Sequence, residues 1–133
     1  SAVHDGDERR AIDAIMTRLR SLVEETGAGI ILVSHLRRVD GNKGHENGIE
    51  VSLSHLRGSN SIGQLSDCVI ALERNQQSDD PEEARTTRLR VLKSRYTGDV
   101  GLAARVVYDG ETGRLSELTN DDIEFDNSTS EAF

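Results

Sequence analysis

Residues 29–35 read Gly-Ile-Ile-Leu-Val-Ser-His, with four aliphatic side chains in succession. Strands that face water on one side alternate polar and apolar residues. A strand without alternation has to be covered on both faces, as in parallel sheets flanked by helices. This run therefore predicts a layered α/β chain. It ends on His35, with Arg37 and Arg38 just beyond. Ligands of open α/β sheets bind outside the carboxyl ends of the strands. A neutral imidazole there can donate a hydrogen bond to a phosphate oxygen. A lone strand-end histidine is more often structural, so alone the structural reading wins; the carboxyl end of a strand beside a basic loop shifts the odds toward a phosphate contact.

The elements around this run fit the same class. Ile12, Ile15, Met16, Leu19, Leu22 and Val23 recur at three- and four-residue spacing and predict an amphipathic helix over 7–26, stopped by Gly27. Residues 60–66 predict a short helix leading into the strand of residues 67–74. Residues 75–84, with the one proline, read as a polar break. Two further strands, 87–95 and 101–109, precede a hairpin turn at 109–113 and a last strand. The expected fold is α/β: parallel strands flanked by helices, then a β-hairpin-rich end, a core that is RecA-like by the family resemblance described below and incomplete. Residues 1–118 form that part, and 119–133 a disordered acidic tail. The first helix follows no strand, so the chain is expected to be the later part of a larger sheet.

Composition limits the alternatives. A length of 133 residues is one domain's worth, and 3% aromatic residues argue against an aromatic-cored β-sandwich. No apolar run approaches membrane-spanning length, so no membrane partner is expected. One cysteine, Cys68, permits neither an internal disulfide nor a cysteine metal cluster, and a reducing cytoplasmic setting is the default. The net charge of −8 is unevenly placed. All 16 bases lie at or before Arg114, while six of the 24 acids lie beyond it, so residues 1–114 carry 18 acids and are nearly neutral. The acidity is largely a tail, which leaves nucleic acid open as a partner for the rest.

Several polar segments can carry chemistry. Arg37, Arg38 and Lys43 lie in a glycine-rich stretch whose cations can contact phosphates while its glycines let backbone N–H groups approach. A solvated surface loop is the plainer alternative. Arg57 precedes a Gly-Ser turn, and Gln64 lies on the short helix after it. Lys93 and Arg95, two apart near a strand end, share a face; such a pair implies an anion between them or an acidic neighbour on the sheet. A cation of this kind can stabilise a transferring phosphoryl group. The sequence holds no G-x-x-x-x-G-K-[ST] phosphate loop.

Three segments together carry a family resemblance: "DERRAIDAIMTRLR…ILVSHLRR", "LRGSNSIGQLSDCVIALERNQQ" and "LKSRYTGDVG". They resemble the C-terminal helicase domain of phage helicase–primases of the T-odd, short-tailed type, which are DnaB-like, superfamily 4 ring helicases. The resemblance implies a RecA-type fold and an NTP-driven hexameric replicative DNA helicase that translocates on single-stranded DNA. By the same resemblance, His35 senses the γ-phosphate and couples hydrolysis to DNA binding. Arg95 is the finger supplied to the adjacent subunit, with Lys93 beside it. Arg74 and Tyr108 sandwich the nucleotide base, and Arg37, Arg38, Lys43 and Gln64 face the DNA. The implied cofactor is ATP or dTTP with Mg2+, whose metal ligands and phosphate loop lie outside these residues. The implied partners are single-stranded DNA, further copies of the chain in a homo-hexamer, and a replicative DNA polymerase held by the acidic tail through Phe133. The implied setting is the cytoplasm of an infected host cell. Gly41 stands where the family often has a further lysine, which thins the basic loop. Two other readings compete: a non-catalytic module that recruits polymerase through its tail, and part of a RecA-like recombinase.

Overall fold

The structure is a computed structural model that describes residues 2–38, 44–58 and 60–119. Lys43, the acidic tail from residue 120 onward and its terminal Phe133 lie outside the described residues. Helix α1 (Ala2–Thr26) begins earlier than its apolar stripe predicts and ends as expected. Gly27 takes φ of +70° and donates its N–H to Val23 O at 2.8 Å, closing the last turn. One side of the stripe is covered: Met16 is buried, while Ile12, Leu19 and Val23 are half-buried. Ile15 and Leu22 point outward.

A 3-10 turn (Leu53–His55) and helix α2 (Ser61–Leu65) follow, and α2 packs against α1. Four strands come next: β1 (Cys68–Arg74), β2 (Thr86–Ser94), β3 (Gly101–Tyr108) and β4 (Leu115–Glu117). They pair in chain order, each antiparallel to the next. Two irregularities, at Val69/Ile70 and Leu89/Arg90, shift the register. At the β3–β4 turn, Asp109 accepts from the Glu111 N–H and the Thr112 hydroxyl, which hold its carboxyl below the usual range.

Two expectations are corrected. The apolar run 29–35 forms no strand and joins no described sheet; an isolated bridge between Leu36 and Leu56 lies just beyond it. Ile31 is 97% exposed and Val33 86% exposed. A continuously apolar strand needs neighbours on both edges, and none of the described strands flanks it. The described sheet is antiparallel rather than parallel because each strand pairs with the next in sequence through a short connection, with no crossover. The break at 75–84 also contains the start of a short helix, α3 (Pro81–Arg85). Asp80 caps it by accepting from the Glu82 N–H at 3.0 Å, and Pro81 opens its first turn.

Apolar surface left by these two facts faces a cavity of about 440 Å³. Met16, Leu19 and Val23 of α1, Ile30–Leu32 of the apolar run, and Cys68 and Ile70 of β1 line it. Within the described sheet, β1 has β2 on one side only, so its other edge is open. No helix among the described residues is long and apolar enough to cross a membrane.

Candidate functional site

The described candidate residues fall in three places, positioned by α2, β1, β2, β3 and the residues around the two ends of the segment 36–57. That segment leaves and returns at one point. Arg37 N–H donates to His55 O at 2.8 Å, and Arg57 N–H donates to His35 O at 3.1 Å. The base of the excursion is therefore closed by backbone pairing, with His35 and Arg57 side by side. The His35 side chain is exposed. Within the excursion, the His45 ring donates through Nε2 to Arg37 O at 3.1 Å and meets the His55 ring edge-on, centroids 5.3 Å apart.

A polar groove of about 820 Å³ runs beside this base. Arg37, Arg57, Asn60 and Gln64 line one wall, and Asp5, Glu8, Arg9 and Asp13 of α1 line the other. Arg37 and Gln64, far apart in sequence, thus share one groove. Arg57 joins them there. Arg38 is exposed next to Arg37, outside the lining. Gly58 fits the wall closely: its φ is +104°, and a Cβ there would run into Ile12 Cδ1.

The returning half of the excursion is clamped to the sheet by a carboxylate. Glu73 has no exposed side-chain surface. It lies across from Arg88 in the β1–β2 register, and cross-strand partners share a face. Arg90 Nε donates to both of its oxygens, at 3.1 and 3.0 Å, and Arg88 Nε lies at 3.6 Å. Its Oε2 also accepts from the Val51 N–H at 2.5 Å, and Arg88 donates to Gly48 O at 2.8 Å. The hydrogen bond to Glu73 is the main cause of the raised Arg90 pKa. An isolated bridge between Asn47 and Asn75 completes the clamp.

Arg74 and Tyr108 lie at one end of the sheet. Arg74 pairs with Thr87, and Thr86 pairs with Val107, so the ends of β1 and β3 flank the start of β2. Lys93 and Arg95 lie at the other end. Lys93 Nζ donates to Gly63 O and Gln64 O at 2.8 and 2.9 Å, closing the C-terminal end of α2. Arg95 Nη1 reaches Asp67 Oδ1 at 2.6 Å, and its backbone N–H donates to Asp67 O at 2.8 Å. Asp67 also takes Arg20 Nη1 of α1 on both oxygens, at 2.9 Å each. That contact, ahead of Glu24, raises the Arg20 pKa. The acidic neighbour that the Lys93/Arg95 spacing calls for is Asp67.

The sequence reading singled out neither Glu73 nor Asp67 nor Arg20. Glu73 carried a signal: it stands two residues after Ala71 on the covered face of an otherwise apolar strand. Arg20 carried none, because its partner is 47 residues away. Among the described residues, no three His, Cys, Asp or Glu side chains come together to hold a metal ion.

Excursion, groove and paired cations all lie within the stretch of sequence that a known family model matches. The model of the DnaB-like helicase C-terminal domain matches residues 2–117, and the chain belongs to that family. A DNA helicase/primase of Enterobacteria phage T3 is 45% identical over 115 residues, covering 86% of this chain and 20% of the relative. The chain thus spans about a fifth of that relative's length.

Proposed function

We propose that this chain is part of an NTP-driven, hexameric replicative DNA helicase that translocates on single-stranded DNA. The observation that carries the reading is the strand register. Arg74 and Tyr108 lie at one end of β2 and Arg95 at the other. Seven residues separate the Thr87 and Ser94 rungs, roughly 23 Å of strand. That separation suits groups serving two different nucleotides. Arg74 and Tyr108 hold the base of the subunit's own ATP or dTTP, and Arg95 reaches the γ-phosphate of a neighbour's. There the guanidinium stabilises charge as the phosphoryl group is transferred.

DNA meets the excursion 36–57. Arg37, Arg38 and Lys43 contact phosphates, and Gln64 contributes from the groove wall. The acids of α1 offset the groove's arginines, so binding there depends on aligned hydrogen bonds as well as charge. His35, at the base of the excursion, links its movement to the phosphate. A complete RecA-like core places further strands beside the apolar run 29–35 and the open edge of β1. The exposed aliphatic side chains and the apolar cavity between these segments support that arrangement. The acidic tail, ending in Phe133, steers and anchors a replicative DNA polymerase.

The test is subunit mixing. Arg95→Ala alone should slow DNA-stimulated hydrolysis by ~10³-fold. Mixing these subunits with others that lack the phosphate-loop lysine should restore part of the rate. Rings that assemble normally without rescue at any ratio would place Arg95 in cis and refute the reading.

A further inference from the structure

We propose that Asp67 stores the Arg95 guanidinium between turnovers, and that Arg20 is the standing counter-cation that allows its release. The proposal rests on the reading of Arg95 as a cation supplied to a neighbouring nucleotide. The two cations at the end of β2 are held in different ways. Lys93 donates to two backbone carbonyls of α2, Gly63 O and Gln64 O, and is committed to closing that helix. Arg95 is held at its tip by one carboxylate oxygen at 2.6 Å, with a long contact of 3.5 Å to Gln64 O. Its side chain is 42% exposed, so the tip can leave without unpacking a core. The backbone bond from Arg95 N–H to Asp67 O keeps the strand end in place when the tip moves.

A guanidinium on a carboxylate has to leave it before it can reach a phosphate. Departure from an unshared carboxylate strands a negative charge, and that penalty opposes release. Asp67 is shared. Arg20 engages both of its oxygens and is fixed on α1, where Glu24 also holds it at 3.2 Å. Once Arg95 has left, Arg20 still pairs with both oxygens of Asp67, while its other partner, Glu24, is 66% exposed and solvated by water. What release gives up is one partly exposed ion pair, a small quantity. While Arg95 is home, two guanidiniums share Asp67, so neither has that carboxylate to itself. Asp67 and Arg20 are thus positioning residues, acting on the phosphate only through Arg95.

The two side chains should act with opposite sign. In the complete hexamer, Asp67→Asn weakens storage and should raise kcat/KM for DNA-stimulated NTP hydrolysis by about three- to ten-fold, the scale of a partly exposed pair. Arg20→Ala removes the counter-cation and should lower kcat/KM by a similar factor. Arg20→Lys, which keeps the charge, should restore most of it. Loss of rate in both Asp67→Asn and Arg20→Ala would mean a structural role and overturn the proposal. If Asp67→Asn rings fail to assemble, the Arg20 pair decides: no loss in Arg20→Ala, or no recovery in Arg20→Lys, overturns it. A wild-type rate in Arg95→Ala would remove the parent reading instead, and the proposal with it.

Discussion

Glu73 shows how one residue ties the excursion 36–57 to β1, the strand that ends in Arg74. Its carboxylate is fully covered and receives Arg90, Arg88 and the Val51 N–H, while the next residue, Arg74, is the candidate base contact. Truncation would leave two guanidiniums and a backbone donor without their acceptor in a covered site. Glu73→Ala should therefore cost ~3 kcal/mol of stability. Glu73→Gln keeps the volume and one acceptor and should cost less. Chemical denaturation of the two variants checks this, and equal midpoints for Glu73→Ala and wild type would rule out a clamp. At this scale the sequence exposed the cations but hid their partners. Arg37, Arg95 and Lys93 stand in recognisable spacing, whereas the Arg20–Asp67 and Glu73–Arg90 pairs come from separate elements.

Elements were legible where their signals are local. The α1 stripe, the Gly27 stop, the short α2 helix and the hairpin at 109–113 all depend on residues within a turn or two of each other. Helix α3 also had its signal, Asp80 capping and Pro81 opening the first turn, which reads equally well as a polar break. The run 29–35 is different: its apolar pattern states that it needs partners but not where they are. Just before α2, Gly58 combines a positive φ with close approach to the Ile12 side chain of α1, so a Cβ there would have to displace Ile12 Cδ1. Gly58→Ala should cost ~2 kcal/mol through backbone strain and the clash together. Ile12→Val in that background should return part of the loss, because it removes the clashing Cδ1. A thermal melt that finds Gly58→Ala as stable as wild type would show that the two helices shift apart without cost.

Across the molecule, the described residues leave several large apolar side chains uncovered. Ile31, Val33, Ile70 and Leu72 are each more than half exposed, beside a cavity walled by α1 and the open edge of β1. An unpaired edge and an uncovered aliphatic run are association sites unless something occupies them. On the proposed RecA-like reading, the occupant is a set of further strands of the same sheet. The 133 residues produced alone should therefore bind a hydrophobic dye and exchange the amides of 29–36 within seconds. Hydrolysis should be undetectable, since these residues hold no phosphate loop. In the complete protein the same amides should be among the slowest to exchange, because a central strand opens only with the whole domain. Hydrogen exchange followed by mass spectrometry reads both states. Slow exchange of 29–36 in the isolated chain would show that the run finds its cover within these residues, and the expectation of further strands beside it would fail.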